Sequence, residues 1–208
     1  MSDARPDIIP IFPLSGALLL PGGMLPLNIF EPRYLAMTED ALQGNRLIGM
    51  IQPRKEKMSC GSTCVHEIGC AGEISEHEHT PDGRIIISLQ GLWRYKVLEE
   101  LPPLRGYRRV RVQWLDESLA ESPADSRIDR SRLLPALRNY LHQRGLACQW
   151  HKLECCPDSK LVTVLSMVCP FSPVEQQALL EAPNTKTRGE LLTALIELSG
   201  TSDKIRPH

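Results

Sequence analysis

The chain has 208 residues, 42% apolar and 24% charged, a balance that excludes wholesale disorder and fits a soluble globular protein. Its 24 Lys and Arg against 25 Asp and Glu leave a net charge of −1, which argues against whole-molecule attraction to nucleic acid or to an anionic membrane. No run of about 18 uninterrupted apolar residues occurs, so no membrane-spanning helix is expected.

The opening stretch, Met1-Ser2-Asp3-Ala4-Arg5-Pro6-Asp7, has no basic region, and Pro10, Pro13 and Pro21 cut the apolar run after it. A secretory signal needs both features, so none is read. Seven cysteines at irregular spacing then suit reduced thiols and a cytoplasmic location.

In chain order, Ile8 to Phe12 is a short β-prone segment. Ala17 to Leu20 follows, then a Pro21-Gly22-Gly23 turn and Met24 to Phe30, whose prolines predict edge or bulged strands. Pro32 opens a predicted helix running to Gln43, with Tyr34, Leu35, Ala41 and Leu42 at helical spacing and Gly44-Asn45 as stop signals. Leu47 to Ile51 reads as a strand and residues 53–63 as a polar loop. The clearest β signal is a hairpin: Val65 to His79, a Thr80-Pro81-Asp82-Gly83 turn, and a return arm from Arg84. From Arg105 to Leu115, Val110, Val112 and Trp114 alternate with Arg109, Arg111 and Gln113, a strand with one wet face.

The pattern changes after Asp116. Residues 117–126, rich in Glu, Ser and Ala, read as an acidic linker between a β subdomain (1–116) and a helical one (127–208). One helix starts near Ser131 with a Leu134, Leu137, Leu141 stripe, and Pro135 lies in its first turn or kinks it. Leu161, Leu165 and Val168 suggest a second helix, although the Val-rich run also suits a strand. Ser172-Pro173-Val174-Glu175 carries a capping box with Pro at the first helical position. A last helix, about 187–199, aligns Leu191, Leu195 and Leu198, with Gly200 as its stop.

Four chemistries could be carried on this frame. Cys60, Cys64, His66 and Cys70 are metal-ligand types in one region, but their spacing is not that of a zinc finger or ribbon. Cys70 beside Ile68 and Ile74 is more simply a small core residue, and no metal or cofactor is expected. Cys148, His151, Cys155 and Cys156 lie close together, yet nothing local marks a nucleophile. No phosphate-binding glycine motif occurs. Arg105, Arg108, Arg109 and Arg111, with Trp93, Tyr95 and Tyr107 nearby, allow an RNA-binding strand, against which a solvated strand face is simpler.

The stretch Phe12-Pro13-Leu14, Leu20-Pro21-Gly22 and Leu25-Pro26-Leu27-Asn28-Ile29-Phe30-Glu31-Pro32-Arg33-Tyr34 resembles the opening of the Lon protease N-terminal domain. Similar to that family, too, are Ile68-Gly69-Cys70-Ala71-Gly72-Glu73-Ile74, Gly91-Leu92-Trp93-Arg94-Tyr95 and Ser172-Pro173-Val174-Glu175-Gln176-Gln177-Ala178-Leu179-Leu180-Glu181. The resemblance implies an α+β fold: a PUA-like β pseudo-barrel with an embedded helix, followed by a C-terminal helical bundle. It further implies a substrate-binding module without the ATPase and Ser/Lys peptidase domains that follow it in Lon proteases.

The expected function is therefore non-enzymatic binding of unfolded polypeptide segments or a protein partner, in an adaptor role tied to protein quality control, in a groove between barrel and helices. Leu27, Ile29 and Phe30 are its apolar candidates, with core packing as the competing account of each. Glu31 and Arg33 tie the embedded helix to the barrel; if Glu31, Arg33, Tyr34 and Arg94 share one cleft, they form a polar site. RNA binding along Arg105 to Arg111 and metal-assisted hydrolysis through Cys64, His66 and Cys70 are the alternatives. No membrane partner is expected, and the oligomeric state is left open.

Overall fold

Residues 5–57, 63–115 and 127–202 are described by the structure, a computed structural model. The strands are β1 (Ile8–Pro13), β2 (Met24–Ile29), β3 (Leu47–Ile51), β4 (Pro53–Lys57), β5 (Thr63–Val65), β6 (Ile68–His79), β7 (Ile85–Leu104) and β8 (Tyr107–Trp114). The helices are α1 (Pro32–Gln43), α2 (Arg130–Gln143), α3 (Trp150–Glu154), α4 (Asp158–Val168), α5 (Pro173–Glu181) and α6 (Thr185–Ser202). The α+β architecture, a β pseudo-barrel with an embedded helix followed by a helical bundle, is the one expected. Among the described residues no helix is long and apolar enough to cross a membrane.

The main sheet runs β2-β7-β6-β3-β1-β8, and a further β7–β8 pairing closes β6, β7, β8, β1 and β3 into a ring. Among the described strands only β1–β3 is parallel. The 20-residue β7 makes this possible because its first part pairs with β2 and its later part with β8, along the same side. Bulges opposite β6 bend it around the barrel. Ile9, Ile11, Ile51, Ala71, Tyr95, Val110 and Val112 fill the ring. Tyr95 lies at its centre and donates to the Met50 carbonyl at 3.2 Å, so its buried hydroxyl is satisfied. Gly69 makes room for that ring: a Cβ there would lie 2.4 Å from the Tyr95 hydroxyl oxygen.

A second core lies outside the ring. It runs without a break from Leu19, Leu20, Ile29 and Met37 through Ile74, Ile87 and Leu89 to Leu137, Leu161, Leu179 and Ile196. The helices and the outside of the barrel therefore share one apolar core. The predicted linker at 117–126 lies outside the described residues.

Several local expectations change. Ala17 to Leu20 forms no strand, although Leu18, Leu19 and Leu20 are all buried. Part of the predicted polar loop is a two-stranded ribbon of β4 and β5. Helix α1 matches its predicted bounds, but the left-handed residue after it is Arg46 (φ 61°), not a glycine. Arg46 Nε donates to the Ile74 carbonyl at 2.9 Å, an anchor that offsets the strain.

In the helical half, α2 buries Leu133, Leu137 and Tyr140 rather than Leu134, Leu137 and Leu141. Pro135 lies inside α2, beyond its first turn. The Val-rich run is helix α4, with Val168 74% exposed. Helix α5 carries the expected capping box between Ser172 and Glu175. Helix α6 continues past Gly200, with Leu192, Leu195 and Ile196 buried and Leu198 exposed.

Polar side chains hold the two halves together. Arg94, on β7 and buried, donates to the carbonyls of Leu180 (2.9 Å), Ala182 (2.7 Å) and Pro183 (3.2 Å) at the C-terminus of α5. The Leu180 carbonyl, in the last turn, has no partner within the helix and belongs to the negative end of its dipole, and those of Ala182 and Pro183 follow just past the helix end, so a buried guanidinium suits the group. Buried Arg188 reaches the same turn through Leu179 and Ala182. Gln52 after β3 donates to Gln176 of α5 at 2.9 Å, and Gln177 donates to the Ile68 carbonyl at 3.2 Å. Substituting Arg94 by Met should therefore destabilise the protein by roughly 3 kcal/mol, and Arg94→Lys should recover only part of it because one ammonium cannot span the three carbonyls. Urea unfolding midpoints of the two variants check this; an unchanged midpoint for Arg94→Met would show that the contact contributes nothing.

Candidate functional site

The most specific sequence stretch, Pro26 to Tyr34, forms one corner of the barrel. β2 ends at Ile29, Phe30 turns the chain, and Glu31 in extended conformation (φ −72°, ψ 134°) precedes Pro32 at the first helical turn. The Glu31 carbonyl accepts from the backbone of Tyr34 and Leu35, both at 2.9 Å, while its carboxylate makes no cap. That carboxylate instead takes Arg33 Nε at 3.0 Å and Nη2 at 2.8 Å. The Arg33 guanidinium also lies 4.5 Å over the Tyr34 ring. Tyr34 packs on Phe12 of β1, with ring centroids 4.1 Å apart. Burial, the main cause, raises the Tyr34 phenol above its usual pKa, so it stays protonated.

Between this corner and the end of β1 lies a cleft of about 180 Å³, lined by Phe12, Pro13, Leu14, Leu27 to Phe30, Glu31, Arg33 and Tyr34. Ile29 (1% exposed), Phe12 and Tyr34 are core residues that form its floor. Leu27 is half-buried, and Phe30 stands at the rim 64% exposed. Six of the seven candidate residues thus line one cleft: Leu27, Ile29, Phe30, Glu31, Arg33 and Tyr34. Arg94 is not among the lining residues; it is buried against α5. Phe12, Pro13, Leu14 and Asn28 complete the lining; all four lie in the Lon-like stretch, but their residue types alone mark no binding role.

The arginines of the β7–β8 turn and of β8 are occupied by local partners. Arg105 pairs with Asp40 (2.5 Å) and Glu39 (3.1 Å) of α1, Arg108 with Glu100 (2.6 Å), and Arg111 with Glu99 (3.4 Å). Arg109 donates to the Pro102 carbonyl at 3.2 Å. Tyr107 donates to Asp40 at 2.8 Å, and burial, with that bond, pushes its phenol up to about 12.

The Cys/His region does not converge. Cys70 is buried in the apolar interior, whereas Cys64 and His66 are half-buried and separated from it by a break between β5 and β6. Among the described residues no group of three His, Cys, Asp or Glu is placed to hold a metal ion. Cys60 lies outside the described residues. His77 and His79 are exposed and meet edge to face, ring centroids 6.0 Å apart.

Residues 8–197 match the profile of the ATP-dependent protease La (LON) substrate-binding domain. A Lon protease of Dictyoglomus thermophilum is 29% identical over 117 residues, 56% of this chain and 15% of that protein. Lon protease 2 of Myxococcus xanthus is 24% identical over 208 residues, 96% of this chain and 25% of that protein. The chain thus spans a quarter or less of these relatives' length. Among solved structures, a Lon N-terminal domain protein from Xanthomonas campestris superposes with a TM-score of 0.65 at 22% identity, covering 90% of this chain and 97% of that one. The N-terminal domain of a Mycobacterium avium complex Lon protease gives 0.62 at 15% identity, covering 93% and 98%. At these identities the structural likeness carries the fold.

The cysteines differ sharply in access. Burial pushes the Cys169 thiol up to about 11, and Cys70 is fully buried, whereas Cys155 is exposed. Maleimide labelling of the native protein at neutral pH, mapped by mass spectrometry, should modify Cys155 and spare Cys70 and Cys169 until unfolding. Early modification of Cys169 would contradict its packing.

Proposed function

The chain belongs to the family of Lon substrate-binding domains, and from that membership we propose that it is a polypeptide-binding module whose seat is the cleft at the β2–α1 corner. The observation that carries this reading is Phe30, 64% exposed beside a floor of buried apolar side chains. An aromatic at the rim of an apolar hollow is a typical anchor for a partner's side chain. At about 180 Å³ the cleft is smaller than the roughly 300–1,000 Å³ of small-molecule pockets, which favours one or two side chains of a peptide over a cofactor. Burial at about 25 cal/mol per Å² of apolar surface supplies the driving force.

The Glu31–Arg33 pair plays a different part from Phe30. It closes one end of the cleft, neutralises its own charge, and through Arg33 stacks on Tyr34. The lining carries no thiol, imidazole or aliphatic hydroxyl, and the buried Tyr34 phenol stays protonated. Such a site acts by holding a segment rather than by chemistry, which suits an adaptor that presents polypeptides in protein quality control. The RNA reading is weaker because Arg105, just before β8, pairs with carboxylates of α1, and Arg108 and Arg111 of β8 pair with carboxylates of β7.

Phe30→Ala should weaken binding of a fluorescently labelled, reduced and carboxymethylated polypeptide by roughly tenfold, read by anisotropy, with the thermal midpoint unchanged because the ring is not core. Equal affinity in the folded variant would remove the cleft as the seat.

A further inference from the structure

The open side of β2 adjoins the cleft and is built of backbone rather than side chains. β7 is its only paired neighbour among the described residues, in the register Met24↔Gln90 to Ile29↔Ile85. Just before β2, the Gly91 N–H donates to the Gly23 carbonyl at 2.8 Å. In an antiparallel pair the hydrogen-bonding residues alternate. That bond therefore sets the N–H and C=O groups of Leu25, Leu27 and Ile29 toward β7, and those of Met24, Pro26 and Asn28 away from it. Pro26, with no N–H to give, sits at an outward position, as an edge proline must.

We propose that an extended polypeptide segment adds to this edge as a further strand, pairing with the backbone at Met24 and Asn28 while one of its side chains enters the cleft beside Phe30. The proposal rests on the cleft being the polypeptide seat and names the chemistry recognised there. Two residues, four positions apart, offer both a donor and an acceptor, and Pro26 between them offers an acceptor alone. An added strand thus gains main-chain bonds without regard to sequence, and the cleft selects the side chain.

β2 carries no ionisable side chain. A charged residue laid beside it would lose hydration with no opposite charge to meet. The cleft continues the same neutral surface, and its two charged residues already pair with each other. The matching partner is therefore an uncharged, β-prone segment of the type a folded protein keeps inside. A second copy of β2 is a poor occupant: a symmetric antiparallel pair centred on Pro26 would place two prolines opposite each other and lose both central hydrogen bonds.

The test is binding of a short labelled peptide of leucine, valine, serine and threonine, together with versions N-methylated at single successive residues. Methylation at alternate residues should weaken binding roughly fivefold while methylation between them has little effect, because only every other N–H faces β2. Asn28→Pro, which removes an outward N–H but no bond to β7, should weaken binding similarly, with its fold confirmed by circular dichroism. If Phe30→Ala weakens the peptide but methylation acts at no position or equally at all, strand addition is overturned and the cleft stands. If Phe30→Ala is also without effect, both fall. Should Asn28→Pro fail to fold, the methylation series alone decides.

Discussion

One buried guanidinium sets the relation between the two halves of this protein. Arg94 leaves β7 and satisfies carbonyls at the end of α5 that the helix itself leaves unpartnered. The carbonyl cluster at a helix C-terminus is itself electronegative, which suits a buried cation. Leaving buried carbonyls of this turn short of a donor would cost more than the bonds nominally contribute. The choice of β7 matters, because this strand alone pairs with β2, β6 and β8. Fixing its middle fixes the barrel closure toward one end of the strand and the register of β2 toward the other.

The candidate seat follows from that register. β2 delivers the chain to the Phe30 turn, Pro32 starts α1 at once, and the first turn of α1 presses Tyr34 onto Phe12 of β1. The cleft is what remains between these elements. Its floor belongs to the core, so it is held open by packing rather than by a mobile loop. Its rim is polar but electrically closed by the Glu31–Arg33 pair.

Much of this was legible in the sequence where punctuation is strong. Pro32 and Gly44 bound α1, Ser172 to Glu175 starts α5, and Thr80 to Gly83 turns the β6–β7 hairpin. The motif Pro26 to Tyr34 brought six residues of one cleft into view because they are consecutive or nearly so. What stayed hidden depends on distant partners. Arg94 meets carbonyls 86 to 89 positions away, and backbone acceptors leave no complementary residue type to find. Gln52 and Gln176 meet across 124 positions. The α2 stripe was misread by one place because Leu134 and Leu141 are as apolar as the buried Leu133, while Tyr140 is amphipathic. Short α3 had no periodicity to show.

The arginines of β8 show how a local pattern misleads without its cross-strand neighbours. With Arg105 they form a basic run in sequence; in the fold, acids of β7 face Arg108 and Arg111, and acids of α1 face Arg105. The most direct test of the polypeptide seat is amide hydrogen exchange with and without a reduced, carboxymethylated polypeptide. Added protection over residues 24–34 is expected, with β8 unchanged. Protection over β8 that leaves 24–34 exchanging as before would place the binding surface elsewhere and contradict the central claim.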